Sequence, residues 1–240
     1  MSYNFDGVDD RIGFESSPPT FPTAFTIVAW IKPDAFSGSS RSTVFCAYDS
    51  SNGNLIGLFA TPAGDTGSLK LEVTFSGAFA RWQAPNDEIA TGEWYGVAAA
   101  LDASSAANDP SLYRKTGSGA ISNRSVTELL SPSGSIVTSY DGWWSGAVSS
   151  SYAFDGRIAY VRLYNRVLTQ TEIDNELTTP GTVTSGLLVA WNCQTNANDS
   201  SGNSRNGTVS GATIDGDNPP LGTGVKTLFQ RRMRRFIVGV

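Results

Sequence analysis

In the stretch "LTQTEIDNELT", residues 168 to 178, three acids, Glu172, Asp174 and Glu176, stand two residues apart. On a β-strand this spacing would send all three carboxylates from one face into one cleft, where one can attack a sugar and another can protonate the leaving oxygen. On a helix, at about 100° per residue, Glu172 and Glu176 share a face while Asp174 points about 200° away from Glu172. The chemistry therefore turns on the local structure. Thr169 stands three residues before Glu172, the pattern of a capping box, and Leu168, Ile173 and Leu177 supply an apolar side at helical spacing. A short helix is expected near 169–177, with the three acids facing solvent and sharing no cleft.

The chain has no histidine. This removes the usual general base, any Ser-His or Cys-His nucleophile pair and the commonest zinc ligand, so an enzyme here would have to work with carboxylates alone. Cys46 and Cys193 both sit in apolar, strand-like runs and read as small buried hydrophobes, with a disulfide as the alternative. Flat aromatic faces beside polar groups are what a sugar site requires. "SYDGWWSGAV" offers Tyr140, Asp141, Trp143 and Trp144 in a glycine-flanked setting, and if it is extended one of the two adjacent tryptophans faces the core. Trp82 with Arg81 is a second candidate platform, whereas Trp30, Trp94 and Trp191 lie in apolar strand motifs and read as core.

The elements that must position these groups follow from composition and pattern. Among 240 residues, 40% are hydrophobic and 16% charged, and serine, threonine, glycine and asparagine are abundant, which favours one β-domain of many short strands. Residues 25–33, 42–49, 54–61, 69–75, 93–102, 134–140 and 156–166 read as strands separated by glycine, proline, asparagine and serine clusters. The fold class expected is all-β, an antiparallel jelly-roll sandwich with the one helix near 169–177. No run of about 18 apolar residues and no apolar leader is seen, so the expectation is a chain made in the cytoplasm without a signal peptide and without membrane insertion.

Charge is unevenly placed. Residues 219–240 hold Lys226, Arg231, Arg232, Arg234 and Arg235 and no acid, and removing their +5 from the net −5 leaves −10 on the other 218 residues. The arginines are interleaved with Phe229, Met233, Phe236, Ile237 and Val240, apolar groups that are costly to leave in water, so this terminus reads as a docking arm for the protein's own body or a neighbouring subunit. An acidic body argues against nucleic acid as a partner.

Four stretches, "YNFDGVDDRIGF", "FTIVAWIKP", "GEWYGVAAALD" and "FDGRIAYVRLYNRVLTQTEI", resemble in order and spacing the successive motifs of laminin-G-like, concanavalin A-like jelly-roll domains over about residues 3–177. In that family the last motif runs into a surface helix. The Glu-x-Asp-x-Glu spacing itself resembles the active-site signature of laminarinase and lichenase type β-glucanases, which share the sandwich. The family resemblance implies that here the match is coincidental. It also implies calcium as a candidate ion, with Asp6, Asp9, Asp10 and Asp155 in family-like positions, although Asp6-Gly7 and Asp155-Gly156 can equally close turns by bonding their own backbone.

Three departures stand out. "GLLVAWNCQTNANDSSGNSRNGTVSGAT" at 186–213 is similar to the strand with which family members often begin, yet here it follows the body. It is expected to act as a permuted closing strand with Trp191 buried, in a single domain over 1–218 that is followed by the arm at 219–240. A truncated second repeat is the alternative. "SLYRKTGSG" replaces a strand and Asn-Gly turn, and "DASSAANDP" is a long polar loop. These features point to a non-enzymatic recognition or structural module with lectin-like binding of a cell-surface glycan. It would be a phage virion component of decoration or fibre type, joined to neighbouring subunits as a homo-oligomer or shell. A free extracellular lectin is the alternative, and a glucanase using Glu172, Asp174 and Glu176 the second one. No cofactor is required in this reading.

Overall fold

Alternation such as Leu69-Lys70-Leu71-Glu72-Val73-Thr74 gives a strand one apolar and one polar face, and such strands stack their apolar faces together. In the computed structural model, which describes residues 1–16, 18–36, 41–63, 66–149 and 152–222, they form two antiparallel sheets. In chain order the strands are β1 (Ser2–Asp6), β2 (Arg11–Phe14), β3 (Ala24–Ala35), β4 (Ser42–Tyr48), β5 (Leu55–Ala63) and β6 (Thr66–Thr74). They continue with β7 (Phe79–Gln83), β8 (Ile89–Ala90), β9 (Tyr95–Asp102), β10 (Ser111–Thr116), β11 (Ile121–Arg124) and β12 (Thr127–Leu130). The last are β13 (Gly142–Gly146), β14 (Asp155–Tyr164), β15 (Leu187–Trp191), β16 (Thr208–Ser210) and β17 (Thr213–Asp215), and helix α1 (Gln170–Thr178) precedes β15.

The first sheet has the order β11-β10-β9-β3-β14-β1-β17, with β15 also on β14, and the second has the order β12-β7-β6-β5-β4-β13-β2-β16, with β8 on β6. Leu69, Leu71 and Val73 of β6 and Ile27, Ala29 and Ile31 of β3 meet in the core between them. The result is the expected jelly-roll sandwich.

β3 is buried on both faces because the first sheet is covered outside as well. Val28, Trp30, Ala98, Leu168, Ile173 and Leu177 form a second apolar cluster beneath α1. Gly96 makes the close approach possible, since a Cβ there would lie 2.9 Å from Leu177 Cδ2, and Trp30 Nε1 donates to the Leu177 carbonyl at 2.9 Å. The C-terminal end of the described chain crosses the same face. Asp217 accepts from Lys32 Nζ at 2.7 Å and from Trp94 Nε1 at 3.1 Å, Leu221 packs on the outer cluster, and Gly222 lies against Thr178.

β1 and β15 share one lane beside β14. Tyr3 to Asp6 pair with Ile158 to Asp155, and Leu187 to Trp191 pair with Tyr164 to Val161. Trp191 is fully buried, as expected, and its ring packs 6.4 Å from that of Phe45 across the sandwich. The expected strand at 134–140 is a correction. Residues 133–136 make only isolated bridges, Ser133 to Ala78 and Ile136 to Phe75, before Thr138 accepts from the Phe21 amide. The neighbour of this segment is 74–78, the end of β6 and the turn to β7, so the pairing stays limited to these bridges and bonds such as that from the Val137 amide to the Thr74 carbonyl. Cys46 and Cys193 are buried free thiols, and burial pushes the Cys193 thiol up to about 12.

Candidate ligand-binding face

The outer face of the second sheet carries no helix among the described residues. Strand register places Arg81, Glu72, Gly57, Cys46, Trp144, Gly13 and Thr208 in one row across β7, β6, β5, β4, β13, β2 and β16. Trp144 lies flat in this row. A Cβ on Gly13 would stand 2.8 Å from its Cδ1 and one on Gly142 would stand 2.5 Å from its Cζ2, so the two glycines leave the bed in which the indole rests. Its Nε1 donates to Glu15 Oε1 at 2.8 Å, which fixes the ring on the sheet.

Beside the indole is an open depression of about 280 Å³ lined by Arg11, Glu15, Tyr48, Ser50, Asp141 and Trp144. Asp141 Oδ2 accepts from the Ser50 amide at 2.8 Å and from Ser50 Oγ at 2.6 Å, which ties the β4–β5 turn to the start of β13. A partly exposed aromatic plane next to carboxylates, a hydroxyl and a guanidinium has the parts needed to stack a pyranose ring and bond its hydroxyls.

Of the six residues expected at a glycan site, only Asp141 and Trp144 line this depression. Trp143, the inward member of the pair, is fully buried against Phe14 and Phe21. Tyr140 is buried with its hydroxyl donating to the Val137 carbonyl at 2.6 Å. Trp82 needs correction as a platform. Together with Ala80 it faces the core, it is fully buried, and its Nε1 donates to Asp109 Oδ1 at 3.0 Å. Arg81 points to the opposite face and bonds Glu72 at 2.7 Å. Arg11, Glu15, Tyr48 and Ser50 carried no signal in the sequence, because only the strand order β4-β13-β2 brings them together.

The Glu172, Asp174 and Glu176 motif lies on α1, where Thr169 accepts from the Glu172 amide in the expected capping box. The Arg166 guanidinium, followed by the Thr169 amide, lowers Glu172 to about 2. Asp174 accepts from Lys115 Nζ at 2.6 Å. The expectation that all three face solvent fails at Glu176. It is 1% exposed, and its Oε1 accepts from Arg162 Nε at 3.2 Å and from the Gly181 amide at 2.6 Å, while Oε2 accepts from the Val183 amide at 3.0 Å. Each of the three carboxylates is held by a different cation, Glu172 by Arg166, Asp174 by Lys115 and Glu176 by Arg162.

Asp6, Asp9 and Asp10 each bring a carboxylate oxygen within 4.8 Å of the others, and Asp155 lies opposite Asp6 in the ladder. Burial, then the neighbouring carboxylates, raises Asp155, and burial raises Asp10 against the opposing pull of the Asp6 amide. Oxygen ligands at this spacing suit a hard cation. Two carboxylate oxygens of this group close the turn, Asp6 Oδ1 accepting from the Val8 amide at 2.9 Å and Asp10 Oδ2 from the Asp6 amide at 3.0 Å. The arm residues Phe229, Arg231, Arg232, Met233, Arg234, Arg235, Phe236, Ile237 and Val240 lie outside the described residues.

Among solved structures, the chain is similar to the heptameric SAP-like pentraxin from Limulus polyphemus, with TM-score 0.60 and 15% identity over 90% of this chain and 95% of that one. It is also similar to a Bacteroides ovatus ATCC 8483 protein proposed to bind carbohydrate, with TM-score 0.64 and 17% identity over 92% of this chain and 61% of that one. At these identities both likenesses concern the fold. No curated protein sequence matches the chain. The laminin G type 3 family model, described as the concanavalin A-like lectin/glucanases superfamily, matches residues 6–174. With the two-sheet sandwich and its capped helix accounted for residue by residue, the chain belongs to the laminin-G-like family of the concanavalin A-like lectins and glucanases.

Proposed function

We propose that this protein is a non-enzymatic, lectin-like recognition module that binds glycan on the outer face of its second sheet. The observation that carries this reading is Trp144, laid flat over Gly13 and Gly142 beside a depression with Glu15, Ser50 and Asp141 on its walls. A sugar ring stacks on the indole while its hydroxyls bond these polar groups. Replacing Trp144 by Ala removes the plane without touching the core. On a glycan array the variant is expected to lose about tenfold or more in affinity for the glycan that the wild type binds best, with Tm unchanged within about 2 °C. Equal binding by the two proteins would refute the site.

The particle reading is also a proposal. A phage virion component of decoration or fibre type would hold its neighbour, another copy or a shell subunit, through the basic and apolar arm at 219–240. Gly222 lies against Thr178 on the outer side of the first sheet, while Trp144 lies on the outer side of the second. An arm leaving there would anchor the module with its sugar face turned away from the particle. Removing residues 225–240 is therefore expected to give a folded monomer that binds glycan but no longer joins its assembly, as sedimentation would report. If the full-length protein is itself a monomer, the free extracellular lectin is the better reading.

A further inference from the structure

Charge is unevenly shared around the depression beside Trp144. Two carboxylates line it, Glu15 and Asp141, against one guanidinium, that of Arg11. Arg11 is spent on Glu15, which it meets loosely, at 3.8 Å. Asp141 is exposed and, among the described residues, has no ion pair; Ser50 holds its Oδ2, while no donor reaches Oδ1. Asp49, next to Ser50 in the same turn, adds a third carboxylate, which hydrogen bonds from Ser51 and then Asn52 hold below its ordinary value and so keep charged. One positive charge thus faces three negative ones, on a chain whose net charge is −5. The aromatic groups add to this field. The Trp144 Nε1–H is used on Glu15, so the indole offers a ligand its electron-rich face and not a donor. Its six-membered ring lies over Gly142, and Tyr48, the ladder partner of Gly142 on β4, brings a second ring to the depression. Aromatic faces beside a carboxylate without a cation are the surroundings that an ammonium group seeks, because both attract it. A carboxylate or sulfate group is repelled by both.

We propose that the sugar bound at Trp144 is an amino sugar with a free, protonated amino group, its ring on the indole and its ammonium at Asp141. This rests on the glycan reading of Trp144 and adds the ligand's charge. The amino group of a hexosamine is equatorial, so a ring lying flat on the indole sends it sideways to the wall of the depression, where Asp141 stands next to Gly142 in the chain. There it supplies the donor that Asp141 Oδ1 lacks, in a charge-assisted bond stronger than a hydroxyl gives. The same charge polarises the C–H bonds that face the indole and strengthens the stacking. The acidic body around the site steers such a cation toward it.

The test is calorimetric titration of wild type, Asp141→Asn and Trp144→Ala with short oligosaccharides of glucosamine and of galactosamine, each beside its N-acetylated counterpart and a uronate oligosaccharide of the same length. Wild type is expected to bind an amine form at least about tenfold more tightly than the N-acetylated form, and the uronate most weakly of all. Asp141→Asn keeps an oxygen for Ser50, so it should leave Tm within about 2 °C, lose about the same factor for the amine form and leave the N-acetylated form unchanged. Trp144→Ala should weaken both forms about tenfold. Equal or tighter binding of the N-acetylated or uronate form, or amine binding that Asp141→Asn leaves intact, overturns the ammonium site, and the Trp144→Ala titration then decides the stacking reading by itself. Amine binding that needs Asp141 but survives Trp144→Ala overturns the stacked amino sugar and leaves a site for organic cations. A wild type that binds none of these sugars removes the ammonium site, while the array of neutral glycans still decides Trp144.

Discussion

Replacing Glu176 by Gln is expected to lower stability by about 3–5 kcal/mol, which for a chain of this length is a fall in Tm of about 6–15 °C. Glu176 and Arg162 have side-chain exposures of 1% and 3%, so neither charge has water to fall back on. The amide of a glutamine can still accept from Gly181 or Val183, but its amino group meets donors where the carboxylate met a guanidinium. Arg162 also donates to Asn192 Oδ1 and to the Val161 carbonyl, and these neutral acceptors do not balance its charge. A double-mutant cycle with Arg162→Met separates the cause, because removing both partners should cost less than the sum of the single changes. Glu172→Gln is the control. It weakens a half-exposed cap and should cost about 1 kcal/mol. If Glu176→Gln melts with the wild type, the buried pair does not hold α1 to β14.

Deletion of residues 186–240 has the largest expected effect, loss of the cooperative fold. β14 is central to the first sheet, and without β15 the backbone from Val161 to Tyr164 loses its ladder on one side. The core loses Val189, Trp191, Cys193, Ala197 and Ala212 together. A single buried Trp→Ala change costs about 3–5 kcal/mol against a total stability of about 5–15 kcal/mol, so the remaining chain falls below its threshold. Trp191 Nε1 also donates to the Arg205 carbonyl at 2.8 Å, so the segment after β15 is held by the same residue. The shortened protein should be insoluble, or soluble with far-UV but without near-UV circular dichroism. A cooperative melt near the full-length temperature would make the segment an appendage and end the proposal that it closes the sandwich as a permuted strand.

How far these features could be read from the sequence depends on the range of the interaction concerned. Capping at Thr169 is local, three residues long, and was legible. So was the division of labour between Trp143 and Trp144, which needs only the two-residue period of a strand. Trp82 was misplaced for the same reason in reverse: the period of β7, with Ala80 and Trp82 inward, becomes visible only once Phe79–Gln83 is known to be a strand. Glu176 looked like any surface acid of a helix because its partner, Arg162, stands on β14 and reaches it only when α1 folds back on the sheet. The depression beside Trp144 is illegible beyond Asp141, since Arg11, Glu15, Tyr48 and Ser50 come from β2, the residue after it, the end of β4 and the β4–β5 turn. Even the glycines that bed the indole, Gly13 and Gly142, act through registers that no local pattern specifies.

The central claim is that a glycan meets the protein at Trp144, and indole NMR tests it most directly. Six tryptophans give six indole N–H signals in the ¹⁵N-labelled protein, each assignable by single substitution. Five of them, Trp30, Trp82, Trp94, Trp143 and Trp191, are buried. Titration with the best ligand from the array is expected to shift the Trp144 signal, whose N–H bonds Glu15 at the edge of the depression, and to leave the other five in place. A saturable glycan titration that leaves Trp144 unmoved would contradict the account and place the ligand elsewhere on the protein.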